Sequence, residues 1–281
     1  MIGTRGVEIK TPAQLRTMRR AGLVVAETHA AVAAAAAPGV TTRELDEVAR
    51  DVLARHGAGS SFLGYGAGWG YPPYPAVTCI SLNEEVVHGI PGDRALRDGD
   101  LVSVDFGAII DGWHGDGAVT FGVGELAEAD QRLSDVTREA LWAGIGAARL
   151  GGRVTDISHA IERSVAARAD GPYGILAEYT GHGIGSSMHQ PPDVPNRGRP
   201  GRGVKIVEGL ALAIEPMVTL GSSTGVTLDD EWTVVTSDSS RAAHWEHTIT
   251  VTRRGLWVLT AADGGEAELA ARGLPFGPLA D

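Results

Sequence analysis

The length, composition and charge of the chain exclude several classes of protein. Its 281 residues, 43% hydrophobic and 21% charged, are ordinary for a globular protein and are enough for one large domain or two small ones. A net charge of −11 argues against nucleic acid or an anionic membrane as the main partner. The single cysteine, Cys79, allows no internal disulfide or zinc finger and suits a reducing cytoplasm, and no apolar run is long enough to span a membrane.

The first quarter of the chain predicts two helices and an aromatic loop. The segment Thr11-Pro12-Ala13-Gln14 has the N-cap, the first-turn proline and the capping-box side chain of a helix start, and this helix extends to about Ala37. The second helix begins at Thr42 and ends near His56. Residues 60–75 follow as a loop rich in glycine, proline and aromatic rings, which is typical either of an irregular surface or of the wall of an apolar pocket.

Residues 101–121, LVSVDFGAIIDGWHGDGAVTF, predict a β-hairpin that carries two aspartates. Asp111-Gly112 between two apolar runs is a strong signal for a two-residue turn, because both turn residues need positive φ. That turn places Asp105, Gly107 and Asp116 on one face, with the two aspartates as diagonal neighbours about 7–8 Å apart. The predicted pairs are Ile110 with Trp113, Ile109 with His114, Ala108 with Gly115, Gly107 with Asp116, and Asp105 with Ala118.

Two carboxylates on an apolar hairpin repel each other. They need solvent, a shared proton or a cation nearby. The hairpin alone is compatible with a solvated strand face as well as with a binding site.

Helices and strands are predicted again after the hairpin, in the same order. One helix spans about 127–150, and another spans about 155–169 with Thr155 as its cap. Several strands follow, up to about residue 260. The repeated order indicates an α+β protein with two similar halves, although direct sequence similarity between them is faint.

We predict one domain over 1–281. Its core spans 10–262. The polar, glycine-rich tail over 263–281 has little periodicity and is expected to be partly ordered at best.

Four further polar residues stand out in the second half. His182 lies among three glycines in GHGIG, and His189 follows seven residues later. Glu215 ends one apolar strand and Glu246 lies within another, where a lone charge costs several kcal/mol. No basic residue lies close to either glutamate in the sequence, so each pairs with a distant Arg or Lys or faces a cation.

Two aspartates, two glutamates and one histidine form a ligand set rich in oxygen. This set suits two divalent transition ions such as Co, Mn, Fe or Zn better than a structural zinc site. Two such ions lower the pKa of a shared water towards neutrality, which makes the water a nucleophile for hydrolysis. No phosphate loop, dinucleotide fingerprint or GxSxG motif competes with this interpretation.

Six motifs in order make the chain resemble the bacterial type I methionine aminopeptidases, a family with the pita-bread fold. The resemblance covers about residues 11–260 and implies pseudo-twofold halves with a curved antiparallel sheet flanked by helices. The motifs are VVHGIP at 86–91, VDFG at 104–107, DGWHGD at 111–116, GHGIG at 181–185, IEPM at 214–217 and WEHT at 245–248.

The resemblance implies a role for each acidic ligand and for His182. Asp105, Asp116 and Glu246 would bind one metal ion, with Asp116 and Glu246 bridging to a second. His182 and Glu215 would complete the second site. Glu215 would also act as general base and acid toward the bridging water.

The resemblance also assigns the substrate contacts. His189 would contact the scissile carbonyl and stabilise the oxyanion, and His88 would hydrogen-bond the scissile amide nitrogen. An apolar pocket that suits a thioether would hold the methionine side chain. Its expected residues are Tyr71, Tyr74, Cys79, Met188 and Trp232.

The sequence departs from the family pattern at several positions. Met188 stands where many relatives have Phe, which changes the shape of the pocket. Gly117 stands where a small hydroxyl residue is common, so a hydrogen bond beside the bridging aspartate is expected to be missing. Glu85 and Ala242 occupy positions that some relatives use for a monovalent cation, and no such site is predicted here.

The implied activity is removal of the initiator methionine from nascent polypeptides whose second residue is small. The expected protein is a monomer with nascent N-termini as partners, and the ribosome near its exit tunnel as a further candidate. Nucleic acid as a substrate and the membrane are not expected partners. Two alternatives stay open: an aminopeptidase of the same fold that cleaves Xaa-Pro peptides, which usually has an added N-terminal domain, and a binding protein that has lost the chemistry.

Overall fold

The structure, a computed structural model, describes residues 6–68, 70–168 and 170–279. The helices over these ranges are α1 Pro12–Ala35, α2 Thr42–His56, α3 Glu128–Ala147, α4 Val154–Ala166 and α5 Glu266–Ala271. The strands are β1 Gly59–Ser60, β2 Thr78–Leu82, β3 Glu85–Val87, β4 Leu101–Ile110, β5 Trp113–Gly122, β6 Gly174–Ile175, β7 Gly181–Gly183, β8 Gln190–Val194, β9 Ala211–Ile214, β10 Met217–Thr219, β11 Gly225–Thr227, β12 Val234–Thr236, β13 Ala242–His244, β14 Glu246–Thr252 and β15 Gly255–Val258.

The predicted helix starts are confirmed at α1 and α2 and wrong at α4. At α1, Thr11 and Gln14 make the reciprocal hydrogen bonds of a capping box. At α4 the N-cap is Arg153, because Asp156 accepts a hydrogen bond from the Arg153 backbone N–H at 2.8 Å. Thr155 therefore lies inside the helix. The predicted end of this helix at residue 169 lies outside the described residues.

The main sheet is curved, and its described strand pairs are all antiparallel. Its order is β1-β4-β5-β14-β9-β7-β8, with β2 also paired to β4 and β15 to β14. The predicted register of the hairpin is confirmed at every pair, from Ile110 with Trp113 to Asp105 with Ala118. The turn residue Asp111 has φ 49° and Gly112 has φ 78°, as the two-residue turn requires.

The helices cover one face of the sheet and leave the other face to the acidic residues. Strands β4 and β5 turn alternate residues towards α1 and α2, where Val104 and Phe106 are fully buried with Val25. Strand β14 does the same in the other half, where Ile249 packs in the core formed with α3 and α4. Each half thus has a helix pair behind its strands, and the α+β fold with two similar halves is confirmed.

The described part of the tail, residues 263–279, packs on the core, contrary to the expectation that the tail is only partly ordered. Leu269 of α5 is fully buried, and Phe276 forms a bridge with Leu256 of β15. Arg272 makes an ion pair with Glu139 of α3 at 2.7 Å. The tail has little periodicity because these few anchors, rather than a long amphipathic face, hold it. Over the described residues, no helix combines the length and the hydropathy needed to cross a membrane.

Helix α1 crosses β5 and the residue that follows β15 so closely that only glycine fits, with Gly115 at the contact with β5 and Gly22 at the contact with Leu259. A Cβ at Gly22 would lie 2.0 Å from the Leu259 carbonyl oxygen, and a Cβ at Gly115 would lie 2.8 Å from the Gly22 backbone nitrogen. These neighbours are backbone atoms, so neither can move aside without shifting a whole element. The crossing sets the distance between α1 and the strand that carries Asp116.

We expect Gly22→Ala to destabilise the protein by about 1–3 kcal/mol, the usual cost of overpacking. Alanine favours a helix over glycine by about 1 kcal/mol, so this gain offsets part of the overpacking cost, and comparison with a second helical glycine isolates that cost. The matched control is Gly146→Ala in α3, where the added methyl meets only the tip of the Leu274 side chain. Denaturant unfolding checks both variants, and equal stability of the two would contradict the argument.

Candidate active site

Three neighbouring strands place Asp105, Asp116 and Glu246 on one face of the sheet. Ala118 of β5 pairs with Asp105 of β4 on one side and with Glu246 of β14 on the other. Paired residues share a face, and so do residues two apart on a strand. Asp116, two residues before Ala118, therefore faces the same side as the other two carboxylates.

A second row adds His182 and Glu215 to this face. Ala213 of β9 pairs with His182 of β7 and with Thr248 of β14. Thr248 is two residues from Glu246, and Glu215 is two residues from Ala213. All five predicted ligand residues thus lie on one face, because the two rows are neighbours in the sheet.

The side chains converge within reach of a single ion. His182 Nε2 lies 3.5 Å from Glu215 Oε1 and 4.0 Å from Asp116 Oδ2. One donor atom from each of Asp116, His182 and Glu246 lies within 4.8 Å of the others. His182 Nδ1 lies 3.0 Å from the Gly183 carbonyl oxygen, so Nδ1 carries the proton and Nε2 has a free lone pair.

Burial and mutual repulsion disfavour the charged form of the four carboxyl groups. Burial raises the pKa of Asp116 from 3.8 to about 7. Burial, with the nearby charge of Asp116, raises the pKa of Asp105, Glu215 and Glu246 well above the usual range. Without a cation the cluster therefore holds protons at neutral pH.

The donor set fits divalent metal ions. Asp105 Oδ1 and Glu246 Oε1 are buried and have no hydrogen-bond partner among the described residues. Among the described residues, no Arg or Lys side chain forms an ion pair with any of the four carboxylates of the cluster. The alternative that Glu215 and Glu246 pair with a distant Arg or Lys therefore has no support from these residues. Four carboxylates and one imidazole suit two divalent transition ions.

A cavity of about 160 Å³ opens directly over the cluster. Its floor contains the five residues above, and His88 and His189 line it as well. The remaining wall is mostly aromatic and sulfur-bearing. The main residues of that wall are Phe62, Tyr65, Tyr74, Cys79, Met188 and Trp232.

The structure corrects one expected pocket residue. Tyr71 is 56% exposed and lines a neighbouring outer pocket rather than the cavity. Tyr65 and Phe62, from the same aromatic loop, line the cavity instead. The composition of the loop indicated a pocket wall, but an irregular loop has no periodicity that tells which ring faces inward.

Tyr65 orients His189. Its hydroxyl is hydrogen-bonded to His189 Nδ1. Burial raises the pKa of Tyr65 to about 12 and lowers the pKa of His189 to about 4, so the phenol is the donor and the imidazole is neutral. His189 therefore carries its proton on Nε2 and is a neutral donor.

His88 enters the cavity from a left-handed backbone conformation. Its φ is 60°, which costs a non-glycine residue roughly 1–2 kcal/mol. Its ring packs edge-on against Tyr179 and Trp232. Burial lowers the pKa of His88 to about 4, so this imidazole is also neutral at neutral pH. Strain of this kind often accompanies a functional position.

Gly117 has no hydroxyl, and it contacts the Asp116 carboxylate through its backbone. Its backbone N–H donates a hydrogen bond to Asp116 Oδ1 at 3.1 Å. Thr248 adds a second anchor, since its hydroxyl lies 3.0 Å from the Asp116 backbone nitrogen and 2.8 Å from the Asp116 carbonyl oxygen. The strand segment that carries Asp116 is therefore held from both sides.

Comparison with known proteins identifies the family. The profile of metallopeptidase family M24 matches residues 16–253. The chain belongs to this family. It is 52% identical to a protein of Mycobacterium tuberculosis named "Methionine aminopeptidase 1", over 92% of this chain and 96% of that protein. It is 44% identical to the "Methionine aminopeptidase 1" of Bacillus subtilis, over 89% and 98%. The resemblance deduced from the motifs is confirmed.

Solved structures of M24 proteins agree with the fold. Methionine aminopeptidase of Thermotoga maritima superposes with a TM-score of 0.86 at 40% identity, over 91% of this chain and 99% of that one. The prolidase of Pyrococcus furiosus superposes with a TM-score of 0.71 at 21% identity, over 90% and 65%, which indicates a common fold alone. The pita-bread fold is therefore confirmed for this M24 metallopeptidase.

The carboxylate cluster predicts how the stability of the metal-free protein depends on pH. The unfolded chain loses the Asp116 proton near pH 3.8 and the folded protein loses it near 7, so the stability from this group falls as pH rises over that interval. Asp105, Glu215 and Glu246, whose pKa is raised well above the usual range, extend the fall to higher pH. Below about pH 6.5 the buried neutral histidines have the opposite effect and make stability rise with pH. In that range the unfolded chain protonates these histidines, whereas the folded protein keeps them neutral.

We therefore expect the melting temperature of the metal-free protein to fall between pH 6.5 and 8. Asp116→Asn should reduce this fall and be more stable than the parent protein at pH 8, since Asn does not ionise. Thermal unfolding in the presence of a chelator tests this, and a melting temperature that rises with pH over the same window would contradict it. Excess Mn²⁺ or Co²⁺ should remove the fall in the parent protein, because metal binding favours the ionised carboxylates.

Proposed function

We propose that this chain is a methionine aminopeptidase that hydrolyses the peptide bond after an N-terminal methionine. The observation that carries the proposal is that one small cavity combines an apolar, sulfur-bearing wall with a carboxylate–imidazole floor. A flexible thioether side chain suits such a wall. The identity to bacterial proteins named methionine aminopeptidase supports the same substrate.

The five ligand residues would hold two divalent ions. Asp105 would bind one ion and His182 and Glu215 the other, with Asp116 and Glu246 shared between them. When bound, the ions supply Lewis-acid polarisation and a water of lowered pKa. The unpartnered oxygens of Asp105 and Glu246 are the observation in this structure that supports the assignment.

Glu215 would transfer the proton. Its carboxylate is mostly buried, directly follows β9 and lies beside His182 in the floor of the cavity. Its raised pKa favours accepting a proton from the attacking water. It would then return that proton to the amine nitrogen as the peptide bond breaks.

Two neutral imidazoles would recognise the scissile peptide. His189 would donate from Nε2 to the carbonyl oxygen as negative charge develops, a contact whose loss typically lowers kcat by about 10²–10³. His88 would hydrogen-bond the amide nitrogen. The pKa of each is lowered to about 4, which keeps them neutral donors and acceptors at the pH of the reaction.

The pocket for the methionine side chain would be formed by Tyr65, Tyr74, Cys79, Met188 and Trp232. Tyr65, His88 and Trp232 line both the cavity and the outer pocket, so they form the neck between the two. A narrow neck of rings supports discrimination against a large second residue.

The test is methionine release from Met-Ala-Ser by protein stripped of metal and reloaded with Mn²⁺ or Co²⁺. We expect metal-dependent release that Asp116→Asn abolishes, together with weaker metal binding by that variant. Asp111→Asn on the same hairpin is the matched control: its side chain is exposed and pairs only with Arg20 among the described residues, so activity should persist. Met-Leu-Ser should be a much poorer substrate than Met-Ala-Ser.

Two outcomes would contradict this proposal. Cleavage of an Xaa-Pro peptide without release from Met-Ala-Ser would indicate the other specificity of the fold. No release from either peptide by folded, metal-loaded protein would favour a binding protein.

We further propose that the protein acts on nascent chains in the cytoplasm as a monomer, and that it contacts the ribosome near the exit tunnel. The single cysteine is free and buried, which suits a reducing compartment. The exposed large apolar side chains in the described part of the chain are few and scattered, as in monomers. Analytical sedimentation should give one 29.2 kDa species, and co-sedimentation with purified ribosomes tests the proposed contact with the ribosome.

A further inference from the structure

A fourth histidine near the cluster, His244, has no role in the proposed function so far. It ends β13, two residues before Glu246, and is 1% exposed. Its backbone N–H lies 3.0 Å from Thr120 Oγ1, and the same hydroxyl donates to the His244 carbonyl oxygen at 2.7 Å. Met217 pairs with it from the other side. The hairpin that carries Asp105 and Asp116 thus also holds His244 in place.

The imidazole of His244 faces Glu215 from the side opposite His182. His244 Nε2 lies 3.5 Å from Glu215 Oε2, while His182 Nε2 lies 3.5 Å from Glu215 Oε1. One donor atom from each of Glu215, His244 and Glu246 lies within 4.8 Å of the others. This triad is as compact as the one formed by Asp116, His182 and Glu246.

The nitrogen that faces the triad is unsatisfied. His244 Nε2 is buried and has no hydrogen-bond partner within residues 6–68, 70–168 and 170–279, and the same holds for Glu246 Oε1. Leaving a buried polar atom without a partner costs about 1–3 kcal/mol. Two such atoms in one compact triad have a common explanation if both bind a cation.

We propose that His244 Nε2 is a direct ligand of the metal ion that Glu215 binds, together with His182 and Glu246. The inference rests on the metal centre of the proposed function. It makes the second ion a two-imidazole site, whereas the ion bound by Asp105 has only oxygen ligands. Imidazole favours Co²⁺, Fe²⁺ and Zn²⁺ over Mn²⁺, so His244 would bias the second site against Mn²⁺.

The proton NMR spectrum of the Co²⁺-loaded protein counts the histidine ligands. Each Co²⁺-bound imidazole contributes one strongly shifted N–H signal that disappears in D₂O. We expect two such signals in the parent protein, from His182 and His244, and one in His244→Gln and in His244→Ala. Circular dichroism checks that both variants fold.

His247→Gln is the matched control. His247 is one residue from Glu246, but it turns away from the cluster, with Nδ1 2.9 Å from Thr260 Oγ1 and its ring against Trp142. The His247→Gln variant should keep both shifted N–H signals. One signal in the parent protein, two signals in His244→Gln, or failure of the parent protein to bind Co²⁺ would each overturn the proposal.

Metal affinity gives a second readout that does not depend on turnover. His244→Gln should raise the Kd of the second Co²⁺ equivalent by about tenfold or more and should lower the preference for Co²⁺ over Mn²⁺. An unchanged preference would overturn the ligand role. Two shifted signals without methionine release would contradict the proposed function alone, whereas release with only one signal would contradict His244 alone.

Discussion

The structure depends on the mutual repulsion of four carboxyl groups held on one face of a sheet. Asp105, Asp116, Glu215 and Glu246 lie where burial raises the pKa of each, and the nearby charge of Asp116 raises the pKa of the other three further. Side chains in an open loop would relieve this repulsion by moving into solvent. Here each acidic residue lies in or directly after a strand whose register is held by backbone pairing, so relief must come from protons or from cations. The fold thus favours divalent ions, which would replace the protons that the cluster holds in the metal-free protein.

The opposite face of the same strands supplies the rigidity that this requires. Apart from His247, the residues of β4, β5 and β14 that point away from the cluster are apolar or glycine and pack against helices, and α1 approaches β5 as closely as Gly115 permits. Alternation along a strand therefore divides the work: one face packs and the other face binds. A slip of one residue in the hairpin would exchange the two faces and bury Asp105 and Asp116 against the helices. The Asp111-Gly112 turn prevents that slip, so two turn residues determine which face of the sheet carries Asp105 and Asp116.

Features with a local cause were predictable from the sequence, and features set by distant packing were not. The hairpin register follows from two turn residues, and it alone put Asp105 and Asp116 on one face. The motifs then brought His182, Glu215 and Glu246 to the same site through the family resemblance. In contrast, the choice of Tyr65 over Tyr71 depends on how an irregular loop folds back, and the packing of the tail depends on Leu269 and Phe276 meeting elements far away in the sequence. A metal-binding role for His244 does not follow from the sequence, because nothing in its local pattern shows that β13 ends at His244 and that a separate strand, β14, begins at Glu246.

That break between β13 and β14 also explains how two imidazoles come to flank one carboxylate. In a continuous strand, His244 and Glu246 would lie on the same face about 7 Å apart along the strand. The two instead belong to different sheets, because β13 pairs with β10 and β14 pairs with β5 and β9. Glu215 lies between β9 and β10, at the corresponding break in the neighbouring segment. Two adjacent breaks let His244 approach Glu215 from one sheet while His182 approaches it from the other. The position of Glu215 at the junction of two sheets therefore makes it accessible to ligands from both, which a residue in the middle of either sheet would not be.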